Sequence, residues 1–184
     1  MRKKSGGGKW EIVQNDITLP THFWDKMMIN LIGEFVCKID GKGRIVFPAG
    51  LKRQLPGEGD LRFVINRGFE PNLVIYTAAE WKKISEEVNQ LNTYVKKNRD
   101  FLRYFYRGAT EITLDNSSRL LVPKSLLKYA GIEKDVIMFA YGNKIEVWDK
   151  TRYENLLTDE PEDFSALAEE VMSKKENRGV EDVS

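Results

Sequence analysis

The chain has 184 residues, 41% of them hydrophobic and 31% charged, and this composition fits a soluble globular protein of one or two domains. Its single cysteine, Cys37, excludes a disulfide framework and favours the cytosol. No apolar run approaches the ~18 residues of a membrane span, and the basic N-terminus lacks the apolar segment of a secretory signal.

The net charge of +1 conceals an uneven distribution along the chain. Residues 1–27 carry +2, residues 28–107 carry +5, residues 108–157 sum to zero and residues 158–184 carry −6. A basic first part beside an acidic tail suggests a polyanionic partner, with a tail that either screens it or is simply solvated. We favour the solvated tail.

Residues 1–27 contain a Ser-Gly-Gly-Gly run and no clear hydrophobic period. We interpret them as a flexible arm or as the product of a mis-assigned start, since Met27 and Met28 immediately precede the patterned sequence. The only histidine, His22, lies here, and a lone histidine outside the folded region is expected to be a surface residue rather than a catalyst or ligand.

The main pattern of the chain is a repeated motif. It occurs as Asp-Gly-Lys-Gly-Arg-Ile-Val-Phe-Pro from Asp40 to Pro48 and as Asp-Asn-Ser-Ser-Arg-Leu-Leu-Val-Pro from Asp115 to Pro123, an offset of 75 positions. Residues 72–76 and 143–148 also match, but at an offset of 72, so the first copy is three residues longer in a loop after Pro56. The sequence therefore contains two tandem copies of one unit.

These units define the expected domain organisation. The first spans residues 32–81, a helical connector covers 82–108, the second unit spans 109–153, and residues 154–184 form a C-terminal helix and an acidic disordered tail. Two units are too few for a solenoid, so we expect them to pair with each other or with other subunits.

The first unit begins with alternating apolar and polar residues from Glu34 to Ile39, which predicts a half-buried strand. Residues 40–43 have turn chemistry, and a second strand from Arg44 to Phe47 completes a predicted hairpin. Pro48 suits the first turn of a helix, which is expected over residues 49–55.

Two further strands are predicted over residues 61–65 and 73–76. A capping box from Thr77 to Glu80 then opens a helix that is expected to reach Arg107, with a break near residues 89–93. The residues expected on its apolar face are Leu91, Tyr94, Val95, Leu102 and Phe105.

The second unit is expected to repeat this plan. Its predicted elements are strands over 111–114 and 120–122, a helix from Pro123 capped by Gly131, a hairpin over 136–148 and a helix from Asp149 to Leu157. A last amphipathic helix carries Phe164, Leu167, Ala168 and Val171, and disorder is predicted beyond Lys174.

The residues give little support to catalysis. A Walker loop and a Cys/His metal set are absent from the sequence, and Cys37 has no histidine in the repeats to act as its base. Catalysis by Asp40 or Asp115 is the remaining enzymatic hypothesis and is disfavoured. We expect neither a cofactor nor a metal.

Nucleic-acid binding is better supported. A β-hairpin with a basic tip can enter the major groove, where Arg bonds guanine bidentately and Lys meets phosphate. Asp40 is expected to fix the turn and orient Arg44 through an ion pair, the alternative being an ordinary hairpin with a solvated pair. The basic residues around the first turn and its helix are Lys38, Lys42, Arg44, Lys52 and Arg53.

The repeated Asp-x-x-x-Arg with its following strand and Pro resembles the MraZ family of bacterial transcription regulators, and Gly33-Glu34-Phe35 and residues 72–81 fit the same plan. The resemblance covers residues 28–157. It implies an α+β, mainly β, AbrB-like fold: a double-split β-barrel built from two tandem β-α-β-type repeats. It also implies a ring-shaped homo-oligomer in the cytoplasm, associated with the nucleoid, that binds double-stranded DNA at promoter repeats of the division and cell-wall gene cluster, its own promoter included.

Carried over by position, the resemblance places the DNA-binding role on both motifs, and family second copies usually keep a Lys and a Gly where this chain has Asn116, Ser117 and Ser118. We therefore expect the first copy to dominate phosphate contact. The alternative is an AbrB-fold, antitoxin-like module that restrains a protein partner; two fused units and a short tail argue against it. The expected DNA-binding residues are Lys38, Asp40, Lys42, Arg44, Arg53, Asp115 and Arg119.

Overall fold

The computed structural model describes residues 29–56, 61–158 and 163–178. The strands are β1 (Leu31–Lys38), β2 (Arg44–Val46), β3 (Arg62–Arg67), β4 (Leu73–Thr77), β5 (Thr110–Thr113), β6 (Arg119–Leu121), β7 (Asp135–Gly142) and β8 (Lys144–Asp149). The helices are α1 (Ala49–Lys52), α2 (Ala78–Val88), α3 (Lys96–Phe105), α4 (Lys124–Ala130), α5 (Lys150–Thr158) and α6 (Phe164–Arg178). None of these helices is long and apolar enough to cross a membrane. The predicted N-terminal arm and the end of the acidic tail lie outside the described residues.

The two repeats interleave. One antiparallel sheet has the strand order β1-β7-β8-β4-β3-β5, and a second, two-stranded ribbon pairs β2 with β6. The β3–β4 hairpin of the first repeat takes β5 from the second, and the β7–β8 hairpin takes β1 from the first, so the halves are related by a pseudo-two-fold axis between β4 and β8. The predicted fold class is confirmed, as is the expectation that the units pair with each other.

The core forms because the inner sheet face and the ribbon bury alternate residues against each other. In β3, Phe63 and Ile65 point inward and are fully buried. The same buried cluster contains Ile45 and Leu120 from the ribbon and Leu126 from α4. Every layer of the core therefore contains side chains from both repeats.

Local signals in the sequence set several helix ends. Thr77 accepts a hydrogen bond from the Glu80 backbone N–H at 3.3 Å, as the predicted capping box requires. Gly131 ends α4 in the left-handed region at φ 66°. Asp149 accepts a bond from the Arg152 N–H at 3.1 Å and begins α5.

Three predicted details of the helices were wrong. Helix α1 ends at Lys52, because the chain then tightens into a turn in which the Leu55 N–H bonds the Lys52 carbonyl and Leu55 enters the core. Leu91, Tyr94 and Val95 lie in the break between α2 and α3, and Tyr94 and Val95 are 94% and 47% exposed, so these three are not part of an apolar helix face. Helix α6 continues past Lys174 to Arg178.

The predicted hairpin between β1 and β2 was also largely wrong. A single bridge, Ile39 to Ile45, joins the two segments. Strand β1 bonds along its length to β7, and β2 turns away to bond β6. Sequence-adjacent strands thus end up in different sheets, because each finds its partner in the other repeat.

Phe63→Ala is expected to lower the free energy of unfolding by about 3–5 kcal/mol, because it empties a fully buried site. The ring packs on Phe47 with centroids 5.4 Å apart. Urea denaturation followed by circular dichroism measures the change. Phe69→Ala is the matched control: Phe69 is 96% exposed, and its expected change is within about 0.5 kcal/mol. Equal losses in the two variants would contradict the assignment of the core.

Candidate nucleic-acid interface

The two copies of the repeated motif meet at the β2–β6 ribbon. In its register Arg44 pairs with Leu121, Ile45 with Leu120 and Val46 with Arg119. The ladder is extended at both ends by backbone bonds, from the Phe47 N–H to the Ser118 carbonyl at 2.8 Å and from the Val122 N–H to the Gly43 carbonyl at 2.9 Å. Each motif turn therefore lies against the end of the other copy's strand.

Asp40 holds the first turn through both carboxylate oxygens. Its Oδ1 accepts the backbone N–H groups of Lys42 at 2.9 Å and Arg44 at 3.0 Å. Its Oδ2 accepts Nε of Arg44 at 2.7 Å and lies 2.6 Å from Nη2. The carboxylate therefore fixes the turn and the Arg44 guanidinium together, as the sequence predicted.

The second turn reproduces this geometry. Asp115 Oδ1 accepts the N–H groups of Ser117 and Arg119, both at 2.9 Å, and Oδ2 accepts Arg119 Nε at 2.8 Å. Ser118 stands where the first turn has Gly43 and has a positive φ of 54°, against 83° for the glycine. A left-handed backbone is strained for serine, so the second turn keeps the shape at a conformational cost.

The ribbon presents a four-residue outer face. Ile45 and Leu120 point into the core, and strand alternation turns their neighbours outward. Val46 and Leu121 are each 58% exposed, and each lies across the ribbon from an arginine. The outer face is thus a two-fold patch of two cations and two apolar side chains: Arg44, Val46, Arg119 and Leu121.

Hydrogen bonds to the guanidinium groups shift the pKa of both aspartates downward. The Arg44 side chain, helped by the backbone N–H groups, lowers the pKa of Asp40 to about 2. Arg119 lowers the pKa of Asp115 in the same way. Asp115, with a smaller contribution from Asp40 of the other repeat, raises the pKa of Arg119. Both ion pairs are therefore fully formed at neutral pH.

The remaining predicted residues flank the ribbon unevenly. Lys38 and Lys42 are exposed at the end of β1 and in the first turn, and Arg53 is exposed after α1. Lys52 crosses to the second repeat, where its Nζ donates to Ser118 Oγ at 3.0 Å. Lys42 thus lies in the first turn itself, and Lys52 links the first repeat to the second turn.

Sequence reasoning did not single out two apolar residues of the outer face, since Val46 and Leu121 were treated only as strand residues. Two exposed lysines of helix α4, Lys124 and Lys128, were not considered either. The 75-residue offset could have found Lys128, since it corresponds to Arg53. Lys124 has no basic counterpart, as Ala49 stands at the matching position.

In the part of the chain that the structure describes, no three His, Cys, Asp or Glu side chains are grouped so that they could hold a metal ion. Cys37 is half-buried, and burial raises the pKa of its thiol to about 11, which leaves it a poor nucleophile.

The fold and ribbon define a class: a two-repeat, double-split barrel protein with a pseudo-symmetric Asp–Arg turn in each half. A family model described as "MraZ protein, putative antitoxin-like" matches residues 31–104 and 105–175. The chain belongs to the MraZ family.

Curated relatives agree with this assignment. A protein of Christiangramia forsetii named "Transcriptional regulator MraZ" is 44% identical over 154 residues, covering 83% of this chain and 99% of the relative. Proteins with the same name from Flavobacterium psychrophilum and Acetivibrio thermocellus are 42% and 34% identical, covering 79% and 76% of this chain and 93% and 94% of their own length. Transcriptional regulation, the role in these names, is not an enzymatic one.

The Asp40 carboxyl is expected to titrate near pH 2, below its ordinary 3.8, when its carboxyl carbon is followed by NMR. Because folding lowers this pKa, the pair stabilises the turn above about pH 3.8, and that contribution is lost as the pH falls through about 2. In Arg44→Ala the titration should move back toward 3.8, while that of Asp115 stays in place. An unchanged Asp40 midpoint would show that Arg44 is not the cause.

Ser118→Gly is expected to raise the free energy of unfolding by about 1 kcal/mol, since glycine adopts the left-handed backbone without strain. Thermal or urea denaturation tests this. Ser117→Gly is the matched control and should not stabilise, because a positive φ among the described non-glycine residues occurs at Ser118 alone. The reverse change, Gly43→Ser, should destabilise, as its Cβ would lie 3.2 Å from the Val122 carbonyl oxygen.

Proposed function

We propose that this chain is a sequence-specific DNA-binding transcriptional regulator that inserts the β2–β6 ribbon into the major groove. The observation that carries the proposal is the outer face of the ribbon. A two-stranded ribbon fits the major groove, where arginine recognises guanine and apolar side chains contact the thymine methyl group. Arg44 and Arg119 supply the first kind of contact, and Val46 and Leu121 the second.

The Asp–Arg pairs support readout by preorganising each guanidinium. Asp40 engages the Nε and Nη2 side of Arg44. Nη1 and the second hydrogen of Nη2 remain at the end of the fork, where they can bond one guanine. In this proposal Asp40 and Asp115 orient the arginines and do not themselves touch DNA.

Phosphate contacts are assigned to the lysines and arginine beside the ribbon. Lys38, Lys42 and Arg53 flank the first turn, and their counterparts at the 75-residue offset are Thr113, Ser117 and Lys128. The two arginines have matched geometry, but the first copy has more neighbouring cations. The proposal therefore keeps the first copy as the stronger DNA contact.

The assembly and the target are proposed from the family resemblance. In this proposal the chain forms a ring-shaped homo-oligomer that binds repeated sites in the promoter of the division and cell-wall gene cluster, including its own promoter, in the cytoplasm at the nucleoid. Several weak contacts then act together, provided that the spacing of the DNA repeats matches the spacing of the subunits.

Arg44→Ala is expected to lower affinity for DNA from upstream of the chain's own gene more than Arg119→Ala does. Loss of one arginine–guanine contact costs about 1–3 kcal/mol per site, and multivalent binding multiplies that loss. Titration of labelled DNA at two salt concentrations measures both affinity and salt dependence. Arg62→Ala is the matched control, because this exposed arginine lies in β3 beside Glu111 of the edge strand.

Equal losses in the two ribbon variants would remove the asymmetry but keep the interface. Wild-type affinity in both would overturn the ribbon as the DNA-binding element. If the purified protein shows no salt-sensitive DNA affinity and instead co-purifies with one stable protein, the antitoxin-like alternative replaces the proposal.

A further inference from the structure

The second Asp–Arg turn holds a lysine that comes from the other repeat. Lys52 ends α1, 66 positions before Ser118 in the sequence, and its Nζ donates to Ser118 Oγ at 3.0 Å. The two residues can meet because the Phe47 N–H bonds the Ser118 carbonyl at 2.8 Å, so α1 begins beside this turn. At an exposed site such a bond adds little to stability, and its main effect is to fix the position of the ammonium group.

The equivalent contact at the first turn is apolar. At the 75-residue offset, Lys52 corresponds to Leu127 and Ser118 to Gly43. A Cβ built on Gly43 would lie 3.4 Å from Leu127 Cδ1, so Leu127 of α4 lies against the first turn as Lys52 lies against the second. The helix that follows each motif therefore contacts the turn of the other motif. Of these two contacts, the one at the second turn brings a cation.

This exchange between repeats supplies a charge that the second turn lacks. Ser117 stands in the second turn where the first turn has Lys42. Lys52 is exposed and forms no ion pair with a described residue, so its charge is available to an anion. An ammonium group has three N–H donors, and the bond to Ser118 uses one of them. Two donors remain for a phosphate oxygen next to Arg119, which follows Ser118 in the turn.

Ser118 has a conformational cost that this role explains. Among the described non-glycine residues a positive φ occurs at Ser118 alone, at 54°, whereas the first turn has glycine at the matching position. A strained backbone that persists at one residue points to a function of that residue. Glycine would relieve the strain, but it would also remove the hydroxyl group that holds Lys52.

We propose that Lys52 is the phosphate-binding lysine of the second turn and that Ser118 is the residue that positions it. This inference rests on the proposed DNA-binding function and adds one contact to it. Lys52 does at the second turn what Lys42 does at the first, so the two turns differ less in charge than their sequences do. The first copy keeps more neighbouring cations, so its arginine is still expected to be the stronger contact.

The first test titrates the full-length protein into DNA with a single repeat from upstream of its own gene and into a scrambled duplex, over a range of salt concentrations. Lys52→Ala should weaken binding to both duplexes by about three- to tenfold and lower the salt slope by about 1, because a phosphate contact carries no sequence information. Lys52→Arg keeps the charge and should keep the slope. Lys97→Ala is the matched control: it removes an exposed lysine from α3 in the helical connector, and affinity should stay within about twofold.

The second test determines whether Ser118 acts through Lys52. Ser118→Gly should bind both duplexes more weakly than the wild type although it is the more stable protein, so a loss of folding cannot cause the weaker binding. In the Lys52→Ala background, Ser118→Gly should have no further effect on affinity, because the hydroxyl group then has no ammonium to hold. Additive losses, or wild-type affinity in Ser118→Gly, would show that Ser118 does not position Lys52.

The outcomes separate this inference from the proposed function. If Arg44→Ala weakens binding while Lys52→Ala keeps the affinity and salt slope of the wild type, the ribbon remains the DNA-binding element and the role of Lys52 is wrong. If Lys52→Ala weakens binding to the promoter repeat and spares the scrambled duplex, Lys52 contacts a base, which also overturns the assignment to phosphate. A wild-type protein without salt-sensitive affinity for either duplex overturns the proposed function and this inference together.

Discussion

The pairing of β2 with β6 is the contact on which the rest of the structure depends. It joins the repeats at the pseudo-two-fold axis, where Ile45 lies opposite Leu120 and both are buried. By turning β2 away from β1, it leaves β1 to pair with β7 of the other repeat. It also places both Asp–Arg turns on one surface. A single repeat would lack both a closed core and the two-fold patch, so the site needs two copies of the unit.

The two aspartates of that surface order both the turns and the arginine side chains. If the two outward arginines of the ribbon were free, each side chain would lose about 2 kcal/mol of rotamer entropy on binding a partner. Here Asp40 and Asp115 use one oxygen for the turn and the other for the arginine. The turn and the cation are thus ordered by one group, before any partner arrives. Because the net charge of each Asp–Arg pair is zero, long-range attraction of an anionic partner would depend on the surrounding lysines.

The local signals in the sequence predicted much of this fold, because turns, caps and strand alternation depend on near neighbours. Thr77, Gly131 and Asp149 end or begin helices as their chemistry requires. The partner of β1 could not be predicted in this way, since adjacency along the chain favoured β2. Equally, Val46 and Leu121 look like core residues until the ribbon is seen to have an outer face. The arginines and aspartates of the site were predictable because the repeat made them visible; their apolar neighbours were not.

The same duplication leaves the two halves free to differ where the barrel does not constrain them. Ser118 retains the backbone of Gly43 although serine disfavours it, so the shape of the turn is required in both copies. Lys42 and Ser117 point to solvent, where the fold is indifferent to charge, and there the copies diverge. Outside the barrel the halves share even less: the first is followed by the basic connector, whereas the second is followed by α6, whose three glutamates are balanced by two lysines and an arginine. The barrel is therefore nearly symmetric, whereas the segments that follow its two halves are not.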